Sequence, residues 1–194
     1  EEVLIEDVSA GSQTGRKVMV TMFGKKQTFD NVTGILLPDM GNGDDVVEIL
    51  ENVQTPVTVH FGGDQDTLTN AGSASVFAYG DDGDDILNGG SADDEIYCGP
   101  GDDRINGGGG ADDMYGGVGV DEFFVEIGDL TSAIAVNGED GEDRITIQGD
   151  SLAQDLRVTL ESGVVRIGSY SGDDVTGSVT LGGVESIALS GGGD

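Results

Sequence analysis

Residues 80–124 read GDDGDDILN GGSADDEIY CGPGDDRIN GGGGADDMY GGVGVDEFF, five nine-residue units without a gap. The sixth position is always Asp (Asp85, Asp94, Asp103, Asp112, Asp121) and the eighth is always apolar (Leu87, Ile96, Ile105, Met114, Phe123). Glycine crowds the first positions, where it lets the backbone turn tightly. The last three residues of a unit make a very short strand with its middle side chain facing in. Such a strand cannot bury that face alone, so it must stack on copies of itself. If two units make one coil, Asp85, Asp103 and Asp121 form one column, and Asp94 and Asp112 a second on the opposite edge. The predicted fold is all-β, a right-handed parallel β-roll or β-solenoid flanked by short hairpin-like strands.

The pattern G-G-x-G-x-D-x-U-x, with U a large apolar residue, resembles the calcium-binding nonapeptide of RTX (repeats-in-toxin) proteins. The likeness covers 45 contiguous residues with three departures: Asp81 for the second Gly, Ala92 for the fourth and Cys98 for the first. Ala92 and Cys98 carry a Cβ, which strains any turn that needs positive φ. The resemblance implies several Ca²⁺ ions between stacked turns, export in an unfolded state from a calcium-poor cytosol, and folding outside.

Looser motifs extend the series. Gly41-Asn42-Gly43-Asp44-Asp45, Gly62-Gly63-Asp64-Gln65-Asp66 and Gly141-Glu142-Asp143 lengthen the first column, which then steps by 21, 19, 18, 18 and 22 from Asp45 to Asp143. The opposite edge degenerates: Ala71–Val76 has lost its acid and Val53–Val59 reads as a plain strand. Thr28–Leu37 resembles Thr180–Leu189 at an offset of 152, each copy preceded by a strand pair (Leu4–Glu6 with Lys17–Phe23, Leu156–Glu161 with Val164–Ile167). The expected organisation is therefore an N-terminal β segment at 1–40, degenerate coils at 41–79, the nonapeptide roll at 80–124, and further coils with the start of a next module at 125–194. The chain reads as a segment of a longer repetitive protein.

Composition narrows the function. Eight Lys and Arg against 38 Asp and Glu give a net charge of −30, which repels phosphate and excludes nucleic acid as a partner. No run approaches the roughly 18 apolar residues of a membrane span. No basic leader opens the chain, and the single cysteine, Cys98, forms no internal disulfide. Stacked carboxylates at strand spacing repel one another by on the order of 1 kcal/mol per pair even in water. Arg104 is the only base between residues 80 and 124, so the coils cannot close on their own charge.

A hard divalent cation resolves this, because Ca²⁺ takes six to eight carboxylate and carbonyl oxygens together. Zinc and copper do not suit one His and one Cys far apart. The expected sites join Asp85 with Asp103, Asp103 with Asp121, and Asp94 with Asp112, completed by position-one and position-four carbonyls such as those of Gly83, Gly101 and Gly119. Asp45 with Asp66, Asp66 with Asp85, and Asp121 with Asp143 extend the set. The fifth-position acids Asp84, Asp93 and Asp102 have two open roles, bracing the turn or coordinating an ion.

Tyr79, Tyr97 and Tyr115 are again 18 apart, which suits a stacked ladder better than a glycan strip. His60 reads as a surface or packing residue and Cys98 as an inert small residue in a turn. No catalytic constellation is visible, so the chain is not read as an enzyme. The leading function is a calcium-binding segment of a large secreted or cell-surface bacterial protein, of adhesin or matrix type, whose further partners are its own copies or a surface glycan. The runner-up is a carbohydrate-binding or secretion-assisting module of a secreted enzyme.

Overall fold

The computed structural model describes residues 2–8, 17–22, 25–126, 133–148, 156–161, 164–171 and 174–190. Phe23 of the first strand pair lies outside them. The described residues hold strands and turns and no helix, arranged as two stacked ladders facing each other across one core. One sheet runs in parallel through Val46–Ile49, Thr67–Asn70, Ile86–Gly90, Arg104–Gly108, Glu122–Glu126, Arg144–Gln148 and Ser186–Ser190. The other runs through Ile35–Leu37, Val57–Gly63, Val76–Asp82, Glu95–Pro100, Asp113–Gly119, Ala133–Gly141 and Asp174–Gly182. The chain alternates between them, so each pair of strands is one coil of a β-solenoid.

The nine-residue pattern sets the register. Leu87 pairs with Leu68 and Ile105, Ile105 with Phe123, and Phe123 with Ile145. On the facing sheet Ile96 pairs with Ala78 and Met114, and Met114 with Val136. Each of these side chains is at most 2% exposed. Burial of a large aliphatic or aromatic side chain contributes about 1.5–3 kcal/mol, and it is available here only once a coil has a neighbour. Stacking is therefore what makes each three-residue strand stable.

An antiparallel meander closes each end, on opposite sheets. Glu2–Asp7, Lys17–Met22 and Lys25–Asp30 extend the first sheet, Val3 and Ile5 being fully buried beside Val47 and Ile49. Leu156–Glu161 and Val164–Ser171 extend the second through Asp174–Gly182. The two similar stretches consequently sit differently: Ile35–Leu37 lies on the second sheet and Ser186–Ser190 on the first. The place on the first sheet next to Val46–Ile49 is already taken by Glu2–Asp7.

Candidate metal centre built from stacked turns

The sixth-position acids sit where strand meets turn, and each faces the coil before it. Asp85 N–H donates to Asp103 Oδ1 at 2.8 Å, and Asp103 N–H to Asp121 Oδ1 at 3.0 Å. The series continues with Asp45 on Asp66, Asp66 on Asp85 and Asp121 on Asp143. On the opposite edge Asp94 N–H donates to Asp112 Oδ1, and Val76 N–H to Asp94 Oδ1. Both columns expected from the spacing are thus present as hydrogen-bonded ladders.

One oxygen of each carboxylate is used in this way; the other is not. Oδ2 of Asp66, Asp85, Asp94, Asp103, Asp112, Asp121 and Asp143 is buried and accepts no hydrogen bond. These residues are at most 4% exposed. An unpaired buried carboxylate oxygen is costly, and a cation is the one kind of partner that this edge lacks. What faces Oδ2 of Asp85, Asp94, Asp112 and Asp121 is a gap kept open by the first-position glycine; Cys98 and Phe61 stand at that position before Asp103 and Asp66. A β-carbon on Gly80 would lie 2.2 Å from Asp85 Oδ2 and 2.7 Å from the Cys98 carbonyl oxygen of the next coil. The same pair of oxygens flanks Gly89 (Asp94 Oδ2 at 2.5 Å, Gly107 O at 2.8 Å) and Gly116 (Asp121 Oδ2 at 2.1 Å, Gly138 O at 3.0 Å). A one-atom cradle lined by a carboxylate and carbonyls suits a hard cation that coordinates oxygen at about 2.3–2.6 Å. Among the described residues no three His, Cys, Asp or Glu side chains converge, as expected where backbone supplies much of a shell.

The carbonyls of Gly83, Gly101 and Gly119 point along the solenoid. A β-carbon on Gly101 would meet Gly83 O at 1.9 Å, and one on Gly119 would meet Gly101 O at 1.8 Å. Fourth-position glycine is thus required both by this approach and by φ near +150° at all three residues. Ala92 and Cys98 escape the strain expected of them, because neither has positive φ. At the second position Asp81 takes φ of 69° and Glu139 of 70°, in register with glycines of neighbouring coils.

Cys98 is not in a turn but faces inward from the strand Glu95–Pro100, 1% exposed. Burial first, and the Asp103 carboxylate next, push its thiol well above the usual range. The fifth-position acids brace: Asp84 Oδ1 accepts Asp102 N–H, Asp93 Oδ1 accepts Ala111 N–H, and Asp102 Oδ1 accepts Val120 N–H, all at 2.8–2.9 Å. This second ladder runs against the first, each acid holding the coil that follows.

Residues 61–96, 79–113 and 91–123 match the family described as RTX calcium-binding nonapeptide repeat (4 copies). The chain carries RTX repeats. No curated protein matches it. RTX repeats bind Ca²⁺ between turns, and repeats in this number take several ions. The two oxygen ladders and the open cradles are the local form of that fold in this chain.

Two participants lie outside the nonapeptide pattern. Where Val76 stands in the acid's place, the side chain of Asn70 enters the turn instead. Its Nδ2 donates to Ala74 O at 2.8 Å and Gly89 O at 2.5 Å, and its Oδ1 accepts Gly72 N–H at 2.9 Å. This turn is closed by an amide. Asn70→Ala is expected to cost about 1–3 kcal/mol by leaving buried backbone groups unpaired, read in denaturant melts of the calcium-loaded chain, with the number of bound ions unchanged. The other participant is Glu185, whose Oε2 accepts Asp143 N–H at 2.8 Å.

The tyrosines form the ladder expected of them, and His60 completes it. Ring centroids are 4.2 Å apart for His60–Tyr79, 5.3 Å for Tyr79–Tyr97 and 4.5 Å for Tyr97–Tyr115, all stacked. Faces that cover one another are not offered to a sugar ring.

Burial, the largest cause, and neighbouring carboxylates outweigh the backbone hydrogen bonds and raise Asp66, Asp85, Asp94, Asp103, Asp112, Asp121 and Asp143 above 3.8. Asp66, Asp85, Asp112 and Asp121 reach about 6, Asp103 about 7 and Asp94 about 8. A raised carboxylate favours the metal-free fold fully below about pH 4, and that contribution is lost as pH rises through 6 to 8. Acidification is therefore expected to restore strand signal to the calcium-free chain, read by far-ultraviolet circular dichroism between pH 3.5 and 8. A metal-free signal that instead grows with pH would contradict this assignment.

Proposed function

We propose that this chain is a structural segment of a large secreted or cell-surface bacterial protein, which folds and stiffens when Ca²⁺ enters between its coils. Asp85, Asp103 and Asp121 on one edge and Asp94 and Asp112 on the other supply carboxylate ligands, and Asp45, Asp66 and Asp143 extend the first edge. Carbonyls of the first position and of Gly83, Gly101 and Gly119 complete the shells. The bound ion supplies positive charge and oxygen coordination where neighbouring turns meet. The chain's own contribution is to hold one oxygen of each carboxylate by a backbone N–H and, at Asp85, Asp94, Asp112, Asp121 and Asp143, to keep a glycine opposite the other.

The observation that carries this reading is the buried, unpartnered Oδ2 repeated in successive coils and facing the next coil's carbonyl. Secretion and display are supported by the character of RTX proteins and by a charge of −30, which keeps the metal-free chain expanded. No helix is long and apolar enough to cross a membrane among the described residues. A glycan-binding role gains no support from the ladder of mutually covered rings. Calorimetric titration with an ion count tests the proposal: several Ca²⁺ ions bound together with a gain of β structure is expected, and one ion or none overturns it.

A further inference from the structure

The first acid column does not stop at Asp143. After the coil strand Arg144–Gln148 the chain forms the antiparallel pair Leu156–Glu161 and Val164–Ser171, then returns along Asp174–Gly182 to stack on Ala133–Gly141. Ser186–Ser190 then pairs in parallel with Arg144–Gln148. The turn between these returning strands is shorter than its neighbour. Asn137 is in register with Gly182 and Arg144 with Ser186, so six residues separate Asn137 from Asp143 but three separate Gly182 from Glu185.

The shortened turn nonetheless rebuilds the cradle. A β-carbon on Gly138 would lie 2.2 Å from Asp143 Oδ2 and 2.4 Å from Gly183 O, the same two oxygens in the same places as at Gly80, Gly89 and Gly116. Asp143 is fully buried and its Oδ2 accepts no hydrogen bond, although its Oδ1 holds Asp121 N–H. Glu185 takes the place of the next sixth-position Asp, its Oε2 accepting Asp143 N–H. Its extra methylene suits a turn cut short by three residues. Glu185 and Ser186 N–H both donate to Asp143 O, fixing the turn over the gap, and Val184 packs against the core.

We propose that Asp143 Oδ2, the Gly183 carbonyl and the Glu185 carboxylate form a further divalent-cation site, outside the nonapeptide repeats, that fastens the returning segment to the solenoid. It rests on the reading that the acid columns take Ca²⁺. Its consequence is distinct: the ion acts at a junction, where the coil is resumed after an inserted strand pair. Calcium then controls whether Ser186–Ser190 is joined to the coils before it, in addition to ordering the coils themselves.

Glu185→Gln tests this, because glutamine still accepts the Asp143 N–H but carries no charge. Bound Ca²⁺ is counted for the full chain, for Glu185→Gln and for Asp103→Asn, and amide hydrogen exchange is followed in calcium. Glu185→Gln is expected to bind one ion fewer and to lose protection at Ser186–Ser190 while keeping it at Arg104–Gly108. An unchanged count in Glu185→Gln, with a reduced count in Asp103→Asn, overturns the junction site and leaves the column reading standing. Loss of protection at Arg104–Gly108 in Glu185→Gln also overturns it, since the residue would then support the whole fold. A wild-type chain that binds no calcium overturns both.

Discussion

Removing calcium at pH 7 is expected to unfold the coils, abolishing the far-ultraviolet β signal and expanding the hydrodynamic radius. The physical reason lies in the columns. Seven buried carboxylate oxygens have no hydrogen-bond donor, and their edges hold few bases, Arg104 being engaged with Glu122 at 3.4 Å. Without an ion each coil must either bury a charge or take up a proton, and burial raises Asp66, Asp85, Asp112 and Asp121 only to about 6, so that they hold the proton only in acid. At neutral pH most of those protons are lost. The core cannot compensate, because its strands bury their apolar residues only when neighbouring coils are in place. Folding and ion binding are then a single equilibrium. Retention of β signal and compactness in excess chelator at pH 7 would show that the apolar stack suffices alone.

The second large effect is expected at Asp103. It lies mid-column, holding Asp85 N–H and donating its own N–H to Asp121. Asp103→Ala leaves the buried Asp85 N–H without its acceptor, a cost of about 1–3 kcal/mol, and removes the carboxylate shared by the two proposed sites, with Asp85 and with Asp121. The calcium midpoint for folding is expected to rise at least about tenfold, equivalent to about 1.4 kcal/mol. The control is Asp81→Gly, which removes the same charge from an exposed turn. Asp81 has φ of 69°, so glycine, unlike alanine, fits its backbone without strain. Equal shifts for the two variants would mean that net charge, and not position in the column, governs calcium dependence.

Much of this was legible in the sequence for a physical reason. An eighteen-residue coil places every sixth-position Asp and eighth-position apolar residue over its equivalent, so a period in the chain becomes a column in space. Leu87, Ile105 and Phe123, and Asp85, Asp103 and Asp121, follow directly. Asn70 was not legible, because its amide replaces an acid that the motif puts six positions later, and only the hydrogen bonds reveal the exchange. Glu185 was hidden by its place 42 positions after Asp143 and by a turn that breaks the nine-residue phase. The direction of Cys98 depended on whether it belonged to turn or strand, and strand pairing decided it. The sheet joined by each end meander depends on which edge is vacant, which pattern alone does not encode.

The most direct test of the central claim is an anomalous-difference map from crystals grown in calcium. Peaks are expected between successive turns, beside Asp85, Asp103 and Asp121 on one edge and Asp94 and Asp112 on the other, each within coordination distance of an Oδ2. Ordered coils whose Oδ2 atoms face water or one another, with no peak between them, would contradict the account.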